Sequence, residues 1–457
     1  MKYKNAKDIF PPSLLAEMKK YAAGQLVYIP SDARKGWGET SGYRRQLKNR
    51  NREMIRKFNS GATVDELGDE YYLTPETVKN IVSSKKKRRE IYIMELSEIF
   101  ALYTKENETP ISYKLEYEDD SVAPWGYVYY LQDYRVTYPS RTLLIRIEQY
   151  WLVTAARVMQ MKELIDEYIS LGYECARIVE NVYGEYSRDV EYNGHPCVVF
   201  AEEYDEREEK TKEYAKEDEH GRLIAADEIL RAEARIAEKH LEGSEKSYMV
   251  LFDSFSACED DGDWISEYVY GDLKNAVKEN LPQLEAKYTL FADAFERNRS
   301  KLAEVWNSLP TSVFSGDESD PYILNPDGHF VGFASIEAGG RDVCVNALMN
   351  AVLTFTEELG ETYKYELPLA GDPGMREKLY AIVRHGFSVI AKDYTFTEAE
   401  IDSLVYLYRV YIPARLFYYG DLYKFITSSD EAPASVILDF MLGEEENGDP
   451  DFSFLRG

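Results

Sequence analysis

The sequence predicts an α+β protein: a helix-rich N-terminal domain carrying a helix-turn-helix, then a larger body of two lobes, first an antiparallel sheet and then helices. Three observations predict it. The charge reverses sign near residue 90, period-two apolar alternation concentrates between residues 110 and 205, and helical periodicities dominate the remainder. The chain has 457 residues, room for about three units. The expected boundaries are 1–90 for the helix-turn-helix domain, 91–205 for the sheet lobe and 206–457 for the helical lobe.

Formal net charge is -28, from 54 Lys+Arg against 82 Asp+Glu. Taken whole, a field of that sign argues against a nucleic-acid partner, because phosphates are repelled by it. Residues 1–89, however, hold 20 Lys+Arg and 10 Asp+Glu, a net of +10, which leaves -38 on the rest. A basic domain joined to an acidic body is the electrostatic footprint of nucleic-acid binding, although a solvated basic surface shows the same sign.

The 44% hydrophobic and 30% charged content excludes collagen-like, disordered and membrane classes. No apolar run nears the ~18 residues of a membrane span. The lysines of MKYKNAKDIFPP precede no apolar stretch of secretory type, so a cytoplasmic location is expected. Cys175, Cys197, Cys258 and Cys344 form no CxxC pair and read as small buried hydrophobes. His195, His220, His240, His329 and His385 make no i, i+4 pair, so no histidine-based metal site is expected.

Along the basic segment, Leu14, Leu15 and Met18 give a short helix face after Pro11-Pro12, and Gln25 to Ile29 reads as a strand stopped by Pro30. Leu47, Met54, Ile55 and Phe58 then form one helical stripe among Arg and Lys. Val64 and Leu67 mark a short helix, Tyr71-Tyr72-Leu73 a turn, and Thr74-Pro75 an N-cap and first helical position, followed by inward Val78, Ile81 and Val82. This is helix-turn-helix spacing. Glu76, Thr77, Lys79, Asn80 and Ser83, with Thr74 at the helix start, would face a DNA major groove; Lys85, Lys86, Lys87, Arg88 and Arg89 would lie near phosphates. The competing reading is a helical hairpin with a solvated polar face.

The run from MKYKNAKDIFPPSLLAEMKKY through GQLVYIP to KGWGETSGYRRQLKNRNREMIRKFNSGATVDELGDEYYLTPETVKNIV resembles the Mor transcription-activator domain over about residues 1 to 84. The resemblance implies an intertwined homodimer through Phe10 to Ile29, a recognition helix from Pro75 to Ser84, and double-stranded DNA as partner. Tyr72 departs from the Gly that many such turns carry.

In the acidic body, Glu90 to Leu102 reads as a helical connector. Ile111 to Tyr117, Gly126 to Leu131 and Arg141 to Ile147 read as strands of one antiparallel sheet, Ala155 to Leu171 as a helix, and Tyr183 to Val190 and Cys197 to Ala201 as a further strand pair. The charged stretch from Glu202 to His240 reads as a solvated helical face. Helical patterns follow over Trp264 to Trp306, Val343 to Leu359 and Met375 to Leu442.

Phe314-Ser-Gly-Asp-Glu-Ser-Asp-Pro-Tyr-Ile-Leu, the turn at Asp327-Gly328 and Val331 to Gly340 resemble the catalytic stretch of aminoglycoside phosphotransferases, whose pattern is HGDLHxxNIL, then GxIDFExAG. Upstream, SRTLLIRIEQYWLVTAARVMQMKELIDEYISLGYECARIV resembles that family's lobe carrying the phosphate-pairing lysine and its partner glutamate, and PCVVFAEEY its hinge strand, so the resemblance spans roughly residues 110 to 430 and implies a protein-kinase-like fold using ATP and Mg²⁺. Carried over, Asp317 stands at the catalytic base. Arg146 replaces the phosphate-pairing lysine, with Glu167 as its implied glutamate partner. The metal-holding Asn and Asp are replaced by Tyr322 and Ser335, Ser315 and Ser319 replace the motif's His residues, and there is no GxxxxGK(S/T) loop.

Losing both metal-holding side chains removes electrostatic stabilisation at ~3 kcal/mol or more apiece. The sequence is therefore expected to encode a DNA-binding transcriptional regulator with a catalytically degenerate, ligand-sensing or protein-contacting body, no cofactor and no membrane contact. Asp317 is then a relic base, or a turn residue bonding its own backbone. The alternative is an active ATP-dependent small-molecule phosphotransferase using Asp317, with Glu318, Asp320 or Glu337 as substitute metal ligands. A third reading makes the acidic body a protein-interaction surface.

Overall fold

A computed structural model describes residues 92–456 except 106–107, 123–127, 151, 217–222, 248–250, 253–267, 316–321, 337–338, 355–372 and 416–419; before residue 92 it describes Lys57, Thr63, Leu67 and Tyr71. The expected dimerisation element Phe10 to Ile29, the DNA-facing residues Thr74 to Arg88, Asp317, and the alternative ligands Glu318, Asp320 and Glu337 lie outside the described residues. The chain divides into two compact units, Met1–Lys87 and Arg88–Gly457. The elements below belong to the second.

A six-stranded sheet opens this unit, with spatial order β1-β5-β6-β4-β3-β2. Its strands are β1 (Tyr92–Ile93), β2 (Ser112–Asp119), β3 (Tyr130–Thr137), β4 (Thr142–Gln149), β5 (Ser187–Tyr192) and β6 (His195–Glu203). β1 runs parallel to β5 and the other neighbours are antiparallel. The β5–β6 hairpin turns at Asn193-Gly194, both with positive φ, the backbone that a tight two-residue hairpin needs.

The period-two pattern gives the sheet two unlike faces. Leu143, Ile145 and Ile147 of β4, Val136 of β3 and Val199 of β6 point outward into a small apolar core closed by Ile99 and Phe100 of helix α1 (Leu96–Ala101) and by Leu102 and Tyr103. The opposite face looks toward helix α2 (Ala155–Ser170) and the helical lobe. Thr154 caps α2 by accepting from the Arg157 amide at 3.1 Å, and Val158, Met161, Leu164, Ile165 and Tyr168 are its buried stripe.

The helical lobe comprises α3 (Ile224–Lys239), a π-helical turn (Tyr268–Leu273), α4 (Lys274–Asn280), α5 (Glu285–Trp306), α6 (Cys344–Thr354), α7 (Pro373–Ile390), α8 (Glu398–Arg415), α9 (Asp421–Thr427) and α10 (Glu431–Asn447). Two short ribbons sit among them, one pairing β7 (Thr311–Phe314) with β10 (Gly340–Val343), the other β8 (Tyr322–Leu324) with β9 (Phe330–Phe333). One large apolar core joins α2, these ribbons and the helices. The unit is thus a mixed α+β structure with a sheet lobe followed by a helical lobe.

Three expectations need correction. The third strand starts at Tyr130 instead of spanning Gly126 to Leu131, and it runs on through Asp133 and Arg135, whose charges mask the alternation. The connector from Glu90 begins as a strand pair with β5 before its helix. The charged stretch to His240 is not a solvated face throughout. In α3, Ala225, Ile229, Leu230, Ala232, Ala234, Ile236 and Ala237 are buried, because the small alanines between the charges let the helix pack on several sides.

Candidate ligand-binding cleft

Arg146 lies on the inner face of β4, directly across from Asp133 on β3 and Phe200 on β6. Its guanidinium donates from Nη1 to Asp133 Oδ2 at 3.1 Å and from Nε to Glu202 Oε2 at 3.2 Å. Glu148, two residues along the same strand face, lies 3.8 Å from Nη1. All four side chains are nearly inaccessible to water, with Glu202 at 1%. Among the described residues the cluster sets one guanidinium beside three carboxylates. Burial at such a site strengthens attraction and repulsion alike.

The fourth partner comes from outside the sheet. Ser335, in the segment after β9, accepts from Arg146 Nη2 at 3.1 Å and donates its hydroxyl to Glu202 Oε2 at 2.8 Å. Gly332 makes this placement possible. β9 runs against the chain after α2, where the Glu174 amide donates to the Val331 carbonyl at 2.8 Å and the Ala176 amide to the Phe333 carbonyl at 3.1 Å. A Cβ on Gly332 would come within 1.8 Å of the Glu174 carbonyl oxygen, so only glycine permits the approach.

Above this floor opens a cleft of about 650 Å³. Glu116, Tyr117 and Asp119 of β2 form one wall, and Glu203, Tyr204, Asp205 and Glu209, at and beyond the end of β6, form another. Tyr129 and Tyr150 add an aromatic pair with centroids 5.8 Å apart. Rim charges are partly paired: Glu116 with Arg135 at 2.6 Å, Glu209 with Arg135 at 2.9 Å, and Asp205 with Arg207 at 2.7 Å. Burial acts to raise the Asp205 pKa, but the hydrogen bonds and charge of Arg207 outweigh it and hold the carboxyl below its ordinary value. Among the described residues, no cation pairs with Asp119 or Glu203. Among the described lining residues, seven side chains are carboxylates and Arg146 is the cation.

Of the residues singled out from sequence, Arg146 and Ser335 meet at the cleft floor. Glu167 does not join them. It sits on the partly exposed side of α2, where Lys239 Nζ lies 3.4 Å away, and the carboxylates at Arg146 are Asp133, Glu148 and Glu202. Elsewhere on α2, the Arg157 guanidinium donates to the carbonyls of Gly339 at 2.9 Å and Lys246 at 2.8 Å. Tyr322 opens β8, packs half-buried against the large core, and accepts at its carbonyl from the Thr211 hydroxyl at 2.9 Å. Asp133, Glu148 and Glu202 were not anticipated. Their sequence signal is a charge at some of the inward strand positions, as at Arg146 and Glu148 after the apolar Leu144.

The resemblance to phosphotransferases implies a magnesium-bound nucleotide in such a cleft. The described residues do not fit one. The arginine that would meet a phosphate is already bonded to carboxylates, Ser335 spends its hydroxyl proton on Glu202, and the remaining wall charges repel an anion. Among the described residues no group of three or more His, Cys, Asp or Glu side chains is arranged to hold a metal ion. The described thiols are not activated nucleophiles either: burial pushes Cys175 up to about 11 and Cys197 and Cys344 to about 12.

No protein-family model matches the chain. Among solved structures it is similar to the amicoumacin kinase hAmiN in complex with AMP-PNP, Ca²⁺ and Ami, at 11% identity and a TM-score of 0.42, covering 80% of this chain and 94% of that one. A microcompartment-associated aminopropanol kinase gives 11% and 0.40 over 76% and 94%. An aminoglycoside phosphotransferase from Alicyclobacillus acidocaldarius gives 9% and 0.39 over 79% and 98%. At these TM-scores the two-lobed description rests on the chain's own strands and helices. A stretch of 87 residues, 19% of the chain, is 40% identical to the uncharacterized protein YraL of Bacillus subtilis and covers all of it. By that identity across a whole relative, the chain belongs to the family of YraL.

Proposed function

We propose that this chain is a DNA-binding transcriptional regulator whose body is a degenerate, protein-kinase-like phosphotransferase domain that binds a ligand without transferring a phosphoryl group. The observation that carries the second half is the engagement of Arg146 by Asp133, Glu202 and Ser335. A phosphoryl-transfer site needs its cation available to the phosphates and its metal-holding oxygens available to magnesium. Here the cation is bonded to carboxylates, and a serine that donates to one of them stands where the resemblance places a metal-holding aspartate.

The first half is supported by the +10 balance of residues 1–89 and by the helix-turn-helix spacing from Val64 to Val82. On this reading Glu76, Thr77, Lys79, Asn80 and Ser83 face bases, Lys85 to Arg88 face phosphates, and Phe10 to Ile29 pair two copies.

Two measurements on the full chain test the halves separately. In a gel-shift titration on duplex DNA, log K should fall steeply with log salt concentration; absent or salt-insensitive binding defeats the regulator. A thermal-shift assay should show no Mg²⁺-dependent stabilisation by ATP. Such a shift, accompanied by ATP turnover that Asp317→Asn abolishes, would instead establish an active phosphotransferase.

A further inference from the structure

We propose that the open edge of β2 is a self-association surface, on which a second copy of this chain lays its own β2 antiparallel about a two-fold axis at Leu115. The proposal is independent of how the cleft and the N-terminal segment are read.

β2 ends the sheet. Among the described residues it has a strand neighbour on one side, β3, so its other edge offers backbone N–H and C=O groups to an added strand. At eight residues it is long for an exposed edge, and Tyr113 and Leu115 make its outer face apolar where an edge guarded against pairing would carry charge. The Tyr113 ring packs against Phe100 and Tyr134, with centroids 5.1 and 6.1 Å away, and Leu115 stands opposite Tyr134 in the ladder. Tyr113 and Leu115 nevertheless remain 59% and 38% exposed. The apolar core of the outer face thus runs to the rim of the sheet and is left open there.

The charges of the strand say what fits that edge. Lys114 and Glu116 flank Leu115 on the inner side, 2.5 Å from each other, with Glu116 also 2.6 Å from Arg135. A two-fold axis normal to the sheet sets one residue opposite its own copy and keeps like faces together. With Leu115 on the axis, Lys114 of each copy faces Glu116 of the other, because the triplet Lys-Leu-Glu read in reverse presents the opposite charge at each end. The two in-chain ion pairs then close into one alternating set of two ammoniums and two carboxylates. On the outer side the two Leu115 side chains meet, and each Tyr113 lies diagonally across from the other copy's leucine, within reach of an aromatic ring. An axis at Lys114 would instead set two ammoniums face to face, and the register shift between Leu115 and Tyr117 ends the matched stretch at Glu116. Charge complementarity therefore selects both the occupant and the register.

The test is a charge exchange in the full chain, read by sedimentation equilibrium over a concentration series at about 0.15 M salt, where charges more than ~8 Å apart are screened. Lys114→Glu sets carboxylate against carboxylate across the axis and Glu116→Lys sets ammonium against ammonium, so each variant alone should self-associate about tenfold more weakly than the parent chain. An equimolar mixture of the two variants restores opposite charges across the axis, and its association should return to within about threefold of the parent value. Pairing through Phe10 to Ile29 would be common to parent and variants, so the difference between them reports on β2. Leu115→Cys should give more disulfide-linked dimer under mild oxidation than the parent chain does, because residues opposite each other in an antiparallel pair lie within disulfide reach, whereas Ser112→Cys should not. Equal association of parent and variants, loss in both variants with no recovery in the mixture, or equal crosslinking of the two cysteine variants would each overturn the β2 contact while leaving the reading of the body as non-transferring untouched.

Discussion

The two faces of the sheet lobe are made by the same strands and obey opposite rules. On β4, Leu143, Ile145 and Ile147 enter an apolar core under α1, while Arg146 and Glu148, one residue out of phase, line a buried ionic floor. The outer face gains from removing apolar area from water, at about 25 cal/mol per Å² and with little regard to direction. The inner face gains only if each hydrogen bond and charge is matched, since a mismatched buried ion costs more than its pairing returns. The difference teaches that alternate residues of one strand can answer to different constraints, apolar burial on one side and charge matching on the other.

Breaking the inner face should have the larger effect. Arg146→Met removes the cation from a cluster of three buried carboxylates and is expected to cost about 3–5 kcal/mol in urea denaturation. Adding Asp133→Asn should recover part of that loss, because one repelling charge disappears; no recovery would mean that the two residues do not share one electrostatic unit. On the outer face, Ile145→Ala should cost about 3 kcal/mol through lost burial and a residual cavity.

A buried carboxylate away from the cleft sharpens the comparison, since its described partner is a hydroxyl and not a guanidinium. Glu233 accepts from the Tyr168 hydroxyl at 2.6 Å, and burial pushes its pKa up to about 7. An unfolded glutamate titrates near ~4.3. The folded chain therefore retains a proton that the unfolded chain releases, so this contribution is complete below about pH 4 and is lost as pH rises through about 7. Asp342, raised to about 7 chiefly by burial, acts in the same direction. Melting temperature should fall between about pH 5 and pH 8, and Glu233→Gln should flatten that fall by up to about 3 kcal/mol. The smallest effect belongs to Glu167→Gln, which removes only a half-exposed pairing with Lys239 and should change stability by no more than about 0.5 kcal/mol. A loss of several kcal/mol there would restore Glu167 to the charge network of the cleft.

These elements also show how far the sequence could be read. Apolar alternation located β4, β5 and β6 to within a few residues, and the helical stripe of α2 was legible because burial repeats every three or four positions. Helical patterns were legible from Trp264 to Trp306, and within that stretch Pro282 opens a short 3-10 turn between α4 and α5. β3 was misplaced because Asp133 and Arg135 occupy its inward positions, and α3 was read as solvated because alanine contributes little to an apolar pattern yet packs closely. Arg146 and Ser335 were singled out through the motif frame and do meet. Asp133, Glu148 and Glu202 were missed for a physical reason: charge on a strand normally signals exposure, and only the three-dimensional pairing reveals that these charges are buried.

Ser335 has a mechanical consequence beyond its chemistry. It belongs to the segment that follows β9 in the helical half of the unit, while both of its hydrogen-bond partners, Arg146 and Glu202, belong to the sheet. That single hydroxyl is a latch between lobes. Any rocking motion that widened the cleft would have to stretch two buried hydrogen bonds at its deepest point, so the charge balance of the floor also governs how far the jaws can part.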